Sequence, residues 1–154
     1  MPQSGKIRLG TAEASSRTLR RRVGLMGQTV RPIAGLTVRE QVTYCGWLMG
    51  LGVREAAIKA ERVIADVDLI DKADERSSRI SGGQLRRVGL AQVLVGQPEV
   101  LLLDEPTAGL DPAQRMRFRD VLERIPNDRA TVVSTHQVDD CLLYTSPSPR
   151  DATL

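Results

Sequence analysis

The chain has 154 residues, a formal net charge of +3, and 41% hydrophobic and 27% charged residues. That is the size and balance of one globular domain with its own core. Aromatic residues make up only 3%, which argues against a nucleic-acid surface built on base stacking. Two cysteines and one histidine supply neither a disulfide framework nor metal-ligand spacing, so a reduced, cytosolic setting is expected. Met1 to Lys6 has no apolar segment behind it, and no secretory signal is expected. The richest apolar stretch, Val42 to Val53, is too short and glycine-broken to span a bilayer.

Lys6-Ile7-Arg8-Leu9 alternates polar and apolar residues and predicts a short half-exposed strand. Thr11 to Arg22 is polar, and its basic run Arg20-Arg21-Arg22 is expected to be a solvated approach to a strand rather than a phosphate-backbone patch. Val23 to Gly27 predicts a buried strand with Gln28 at its C-terminal end, and a loop with Pro32 and Gly35 follows. Thr37 and Glu40 form a capping box that opens a helix to about Leu51. Arg54 to about Leu69 predicts a second helix, with Ala57, Val63, Ile64 and Val67 on its apolar side. Asp71 to Ile80 reads as turns. Ser81 and Gln84 form another capping box, opening a helix to about Val95 with Leu85, Val88, Ala91 and Val95 on a common face. Val100 to Leu103 is continuously apolar, which predicts a strand covered on both faces, as in parallel α/β sheets. Asp111-Pro112 caps a helix to about Ile125. Thr131 to Thr135 predicts another buried strand ending at His136, and a short helix is expected from Gln137.

Polar residues therefore stand at several strand ends: Gln28, Asp104 with Glu105, and His136. Ligands in open parallel α/β sheets bind outside the carboxyl ends of the strands. Four apolar residues followed by Asp104-Glu105 have the form of a Walker B strand, in which the Asp holds Mg²⁺ and the Glu activates water for attack on a γ-phosphate. Alone, that pattern also arises by chance, and a lone histidine after a strand is more often structural.

Together these residues resemble the ATP-binding domain of ABC transporters. Ser81-Gly82-Gly83-Gln84 resembles the signature motif, with Ile80 where Leu is usual. Leu101 to Glu105 resembles Walker B with its catalytic Glu, Gly109 to Pro112 the D-loop, Ser134 to His136 the switch-histidine loop, and Gln28 the Q-loop glutamine. Leu36 to Glu40 resembles the opening of the helical subdomain, which is most similar to that of drug or ABC-2 type exporters.

The resemblance implies an α/β fold: a partial P-loop NTPase (RecA-like) core with an inserted helical subdomain. One partial domain over 1–140 would have core pieces 1–35 and 96–140 and a helical subdomain 36–95. ATP and Mg²⁺ are the implied cofactors. Asp104 would coordinate Mg²⁺, and Gln28 would contact the metal or its water and couple to the membrane subunit. Glu105 would polarise the attacking water, and His136 would contact the γ-phosphate. Asp111 would cross a dimer interface. The Ser81-Gly82-Gly83-Gln84 turn would face ATP held by the opposite protomer, and both glycines inside that turn would clear the way for a phosphate. The implied partners are a second ATPase protomer, arranged head to tail, and a transmembrane permease. No nucleic acid is expected. The location would be cytoplasmic, on the inner face of the membrane.

Two departures accompany the resemblance. Gly5-Lys6 is not part of a Gly-x-x-x-x-Gly-Lys-Ser/Thr loop, so the chain reads as a fragment starting after the family's phosphate loop, inactive by itself. Ser146-Pro147-Ser148-Pro149 is helix-breaking and linker-like, and residues 141–154 read as a non-native or disordered tail. A non-transport ABC ATPase, of the ribosome-acting or DNA-repair kind, stays open as the alternative.

Overall fold

The computed structural model describes residues 5–126 and 129–136. The helix expected from Gln137 and the 141–154 tail lie outside these residues.

The chain opens on a hairpin, β1 (Arg8–Leu9) paired antiparallel with β2 (Ala12–Glu13). The turn passes through Gly10 at φ +62°. Helix α1 (Ser16–Arg22) follows, N-capped by the Ser15 side chain, and the polar reading of this segment missed it. The run Arg20-Arg21-Arg22 is the last turn of α1, where cations face the free carbonyls of a helix end. The chain passes directly into β3 (Val23–Met26).

Three helices separate β3 from the next strand. In α2 (Val38–Leu48) both halves of the Thr37/Glu40 capping box are made. In α3 (Val53–Asp66) the buried side carries Ala56, Ala60, Val63 and Ile64. Ala57, expected inside, is exposed, because a helical stripe through 56, 60, 63, 64 and 67 leaves position 57 about 100° to one side. A 3₁₀ turn (Ile70–Lys72) leads on to α4 (Gly82–Leu94). Helix α4 is the centre of the molecule, with Val88, Leu90, Ala91 and Leu94 all buried. It carries Arg87 inside as well: Nη1 donates to the carbonyls of Val67 (2.9 Å) and Asp68 (2.6 Å), closing the C-terminal end of α3. Replacing Arg87 by Met should strip those carbonyls of their donor and cost about 2 kcal/mol. Chemical denaturation measures this, and a loss within about 0.5 kcal/mol, as at an ordinary surface site, would remove Arg87 from that role.

Strand β4 (Val100–Asp104), helix α5 (Pro112–Arg124) and strand β5 (Ala130–Ser134) complete the described fold. The sheet is parallel, in the order β3-β4-β5. Register sets Met26 beside Leu103 and Asp104 beside Ser134. Arg22 and Glu99 lock the other end of the sheet: Nε donates to Oε1 at 2.6 Å, and the Glu99 N–H donates to the Arg22 carbonyl at 2.9 Å.

Among the described residues only one face of this sheet is covered. Leu101 and Leu103 are buried in the same cluster as residues of α4 and α5. The neighbours Leu25, Leu102 and Val132 share the opposite face, where Leu25 is 65% and Val132 55% exposed. The expectation that the strands at Val23–Gly27 and Thr131–Thr135 are buried is corrected at Leu25 and Val132, while Leu102 on the middle strand, expected to be covered on both faces, is half-buried. A continuous apolar run records that both faces are apolar, and among the described residues helices pack against just one of them.

Candidate active site at the strand ends

In a parallel sheet the carboxyl ends fall on one edge, so the fold alone gathers Gln28, Asp104, Glu105 and His136 there. Asp104 is the last residue of β4, and its Oδ1 accepts from Ser134 Oγ at 2.6 Å. Glu105 then turns away sharply, at φ +47°, a left-handed value uncommon for a residue with a Cβ. Its N–H donates to the Ser134 carbonyl at 2.9 Å, and its own carbonyl accepts from Ala108 N–H at 3.1 Å. The turn brings the Glu105 carboxylate onto His136. Oε1 accepts from the His136 backbone N–H at 3.0 Å and lies 2.6 Å from Nδ1. A carboxylate only accepts, so this contact assigns the ring proton to Nδ1 and leaves Nε2 for a further partner. The Glu105 side chain is 12% exposed and that of His136 75%, so an inner carboxylate is held beneath an outer imidazole. Among the described residues both His136 contacts fall on Oε1, leaving Oε2 for a water.

Two of the predicted residues, Gln28 and Gly82, meet in a second place. Gln28, Gly82 and Gly109 line an open cleft of about 250 Å³ that none of Asp104, Glu105 or His136 enters. Gln28 is exposed. Asp111 caps α5, accepting from Gln114 N–H at 2.9 Å, with Pro112 at the first helical position. In the signature turn, Gln84 N–H donates to Ser81 Oγ at 3.2 Å and Ser81 N–H to Gln84 Oε1 at 2.8 Å. Gln84 is thus committed to the cap.

The two glycines prove unlike each other. A Cβ at Gly82 would meet nothing within 4 Å. One at Gly83, which is buried, would lie 2.8 Å from Cδ and 2.9 Å from Cγ of Gln114. Gly82 leaves its backbone open to an incoming group, while Gly83 stands against the Gln114 side chain of α5. The Gln114 side chain is long and can move aside, so Gly83→Ala should cost less than the ~1–3 kcal/mol typical of overpacking a rigid core, and Gln114→Ala in the same chain should remove that cost. Thermal unfolding of the two single variants and the double variant measures this, and equal losses in Gly83→Ala with and without Gln114 would contradict the contact.

Sequence reasoning passed over Arg86, which links the two groups. Its guanidinium donates to the Glu105 carbonyl at 2.7 Å, to the Gln28 carbonyl, and at 3.4 Å to that of Gly27. Burial alone pulls its pKa down from the usual arginine value. A signal was present: two consecutive arginines between Leu85 and Val88, in the buried stretch of a helix, announce polar partners inside the fold.

The described core is thus a parallel α/β sheet with two acids, Asp104 and Glu105, at the end of its middle strand. A family model described as ABC transporter matches residues 1–108. The chain belongs to the ABC transporter family. It is 37% identical to the energy-coupling factor transporter ATP-binding protein EcfA2 of Listeria welshimeri over 157 aligned residues, covering 94% of this chain and 54% of that protein. It is 41% identical to the cobalt import ATP-binding protein CbiO of Rhodobacter capsulatus over 145 residues, 90% of this chain and 52% of that one. The human retinal-specific phospholipid-transporting ATPase ABCA4 is 33% identical over 141 residues, 90% of this chain and 6% of its own length. The chain spans about half the length of the bacterial relatives it matches. Among the described residues no helix is long and apolar enough to cross a membrane.

Proposed function

We propose that this chain is part of the ATP-binding and ATP-hydrolysing subunit of an ABC transporter, and that Glu105 polarises the attacking water. The observation that carries the reading is the Glu105–His136 contact at the end of the middle strand. Glu105 orients a water through Oε2, and His136, held at Nδ1 by the Glu105 carboxylate, would donate from Nε2 to the γ-phosphate in the form protonated on both ring nitrogens. Both act by positioning and by electrostatic complementarity, the main routes to phosphoryl transfer.

Among the described residues no three His, Cys, Asp or Glu side chains converge as a metal cluster. Mg²⁺ at phosphoryl-transfer sites takes one or two carboxylates and completes its shell with phosphates and water, so the Asp104 carboxylate, steadied by Ser134, fits that need. Bound there, Mg²⁺ would neutralise charge on the transferring phosphate. Gln28 is the proposed second contact, through the metal or its water.

Gly82 with the Ser81 cap, on a cleft apart from Glu105, is proposed to serve ATP held by a second protomer, with Asp111 at the junction. Core pieces 1–35 and 96–140 and a helical subdomain 36–95 are the proposed division. A transmembrane permease is the second partner, which places the subunit on the cytoplasmic face. The Thr37–Glu40 opening and compact helical subdomain support export. Import is the second reading, supported by the name of the cobalt import relative.

The Gly-x-x-x-x-Gly-Lys-Ser/Thr pattern occurs nowhere in the 154 residues, so the polypeptide alone should turn over no measurable MgATP. A coupled phosphate-release assay checks this. Turnover at an ordinary rate of about 1 s⁻¹ or more would show that these residues suffice for hydrolysis, and would overturn the need for a phosphate loop.

A further inference from the structure

Arg86 is 7% exposed, and its hydrogen bonds go to carbonyl oxygens of two loops rather than to a carboxylate. Nη1 serves Gly27 and Gln28, beyond β3, while Nη2 serves Glu105, beyond β4. A planar guanidinium holds two such acceptors at a fixed spacing, which a single ammonium cannot do. One of its acceptors belongs to a residue in a costly conformation: Glu105 sits at φ +47°. A non-glycine residue stays in that region only when its surroundings over-determine it. Two groups grip the Glu105 peptide from other elements, Ser134 on its N–H and Arg86 on its carbonyl. The direction of the Glu105 side chain follows from the orientation of that peptide.

We propose that Arg86 is a positioning residue: its fork pins the Glu105 peptide, so aiming the carboxylate at His136, and holds the Gln28 loop in register with it. The functional meaning rests on Glu105 as the water-polarising group; the geometric claim does not. Signature helix, Gln28 loop and hydrolytic carboxylate then answer to one side chain, so a shift of α4 is felt at Glu105 without any contact between Gly82 and the carboxylate.

His136 is the only histidine of the chain, so the imidazole nitrogen shifts of the 154-residue protein, read at fixed pH, report the Glu105 contact without assignment ambiguity. Glu105→Ala defines the shifts of the released ring. Arg86→Gln should move the signals to those values, and adding Glu105→Ala should move them no further. Arg86→Lys, which keeps the charge but loses the fork, should move them in the same direction by a smaller amount. Amide signals of α2 and α3 certify folding, and if Arg86→Gln does not fold, the lysine variant carries the test. Wild-type imidazole shifts in either folded variant would overturn the proposal. Failure of the Glu105 assignment itself is read separately, in turnover.

Discussion

Replacing Glu105 by Gln in the complete ATPase should leave MgATP binding intact and lower turnover by roughly 10²–10⁴, the usual contribution of a positioned general base. Gln keeps the shape of the side chain, and its amide oxygen still accepts from His136 N–H, so the turn after β4 survives. What is lost is the negative charge that, in the proposed role, draws a proton from water. Equilibrium binding beside single-turnover hydrolysis separates the two effects. Binding unchanged with hydrolysis gone is the expected pair. Unchanged hydrolysis would remove Glu105 from the chemistry, and lost binding would recast it as a structural or metal-holding residue.

Phe118→Ala should be among the most damaging core changes. Phe118 is the only phenylalanine of the chain, is fully buried, and belongs to the cluster that joins α5 to Leu101 and Leu103. Removing a buried ring typically costs about 3–5 kcal/mol, against a total stability of about 5–15 kcal/mol for a domain. Because α5 is capped by Asp111 and its Gln114 side chain lies against Gly83, its loosening should also release the Ser81–Gln84 turn. Urea unfolding followed by far-ultraviolet circular dichroism measures the loss. A change below about 1 kcal/mol, the size of a surface effect, would mean that α5 is not anchored there.

Elements that carry their own punctuation are legible from the residues alone. Thr37 with Glu40, Ser81 with Gln84, and Asp111 with Pro112 each mark a helix start by side-chain chemistry confined to four residues, and each cap is made. Helix α1 escapes such a reading because it has no apolar stripe: none of its residues is buried, and periodicity has nothing to register. The open sheet face escapes for a different reason. Leu25 and Val132 are apolar whether or not a neighbour covers them, and coverage is a tertiary fact. At the site, the residues at strand ends can be named because parallel topology collects them on one edge. The separation into a Glu105–His136 pair and a Gln28–Gly82–Gly109 cleft is not legible in this way, nor is the Arg86 fork between them, since these depend on spacing across elements. Gly83 is a further case: that the Gln114 side chain of α5 lies against it is not legible from the sequence.

One protomer's Ser81–Gly82 turn is proposed to complete the site containing another protomer's Glu105. Mixing two inactive full-length variants, Glu105→Gln and Gly82→Asp, tests it directly. If the turn acts across the dimer, each mixed pair holds one site with an intact carboxylate and an intact partner turn, and ATP hydrolysis should return to about a quarter of the wild-type rate for random pairing. If both variants bind ATP and form mixed dimers yet hydrolysis stays at the level of either alone, the turn serves its own chain's site and the shared-site arrangement is wrong.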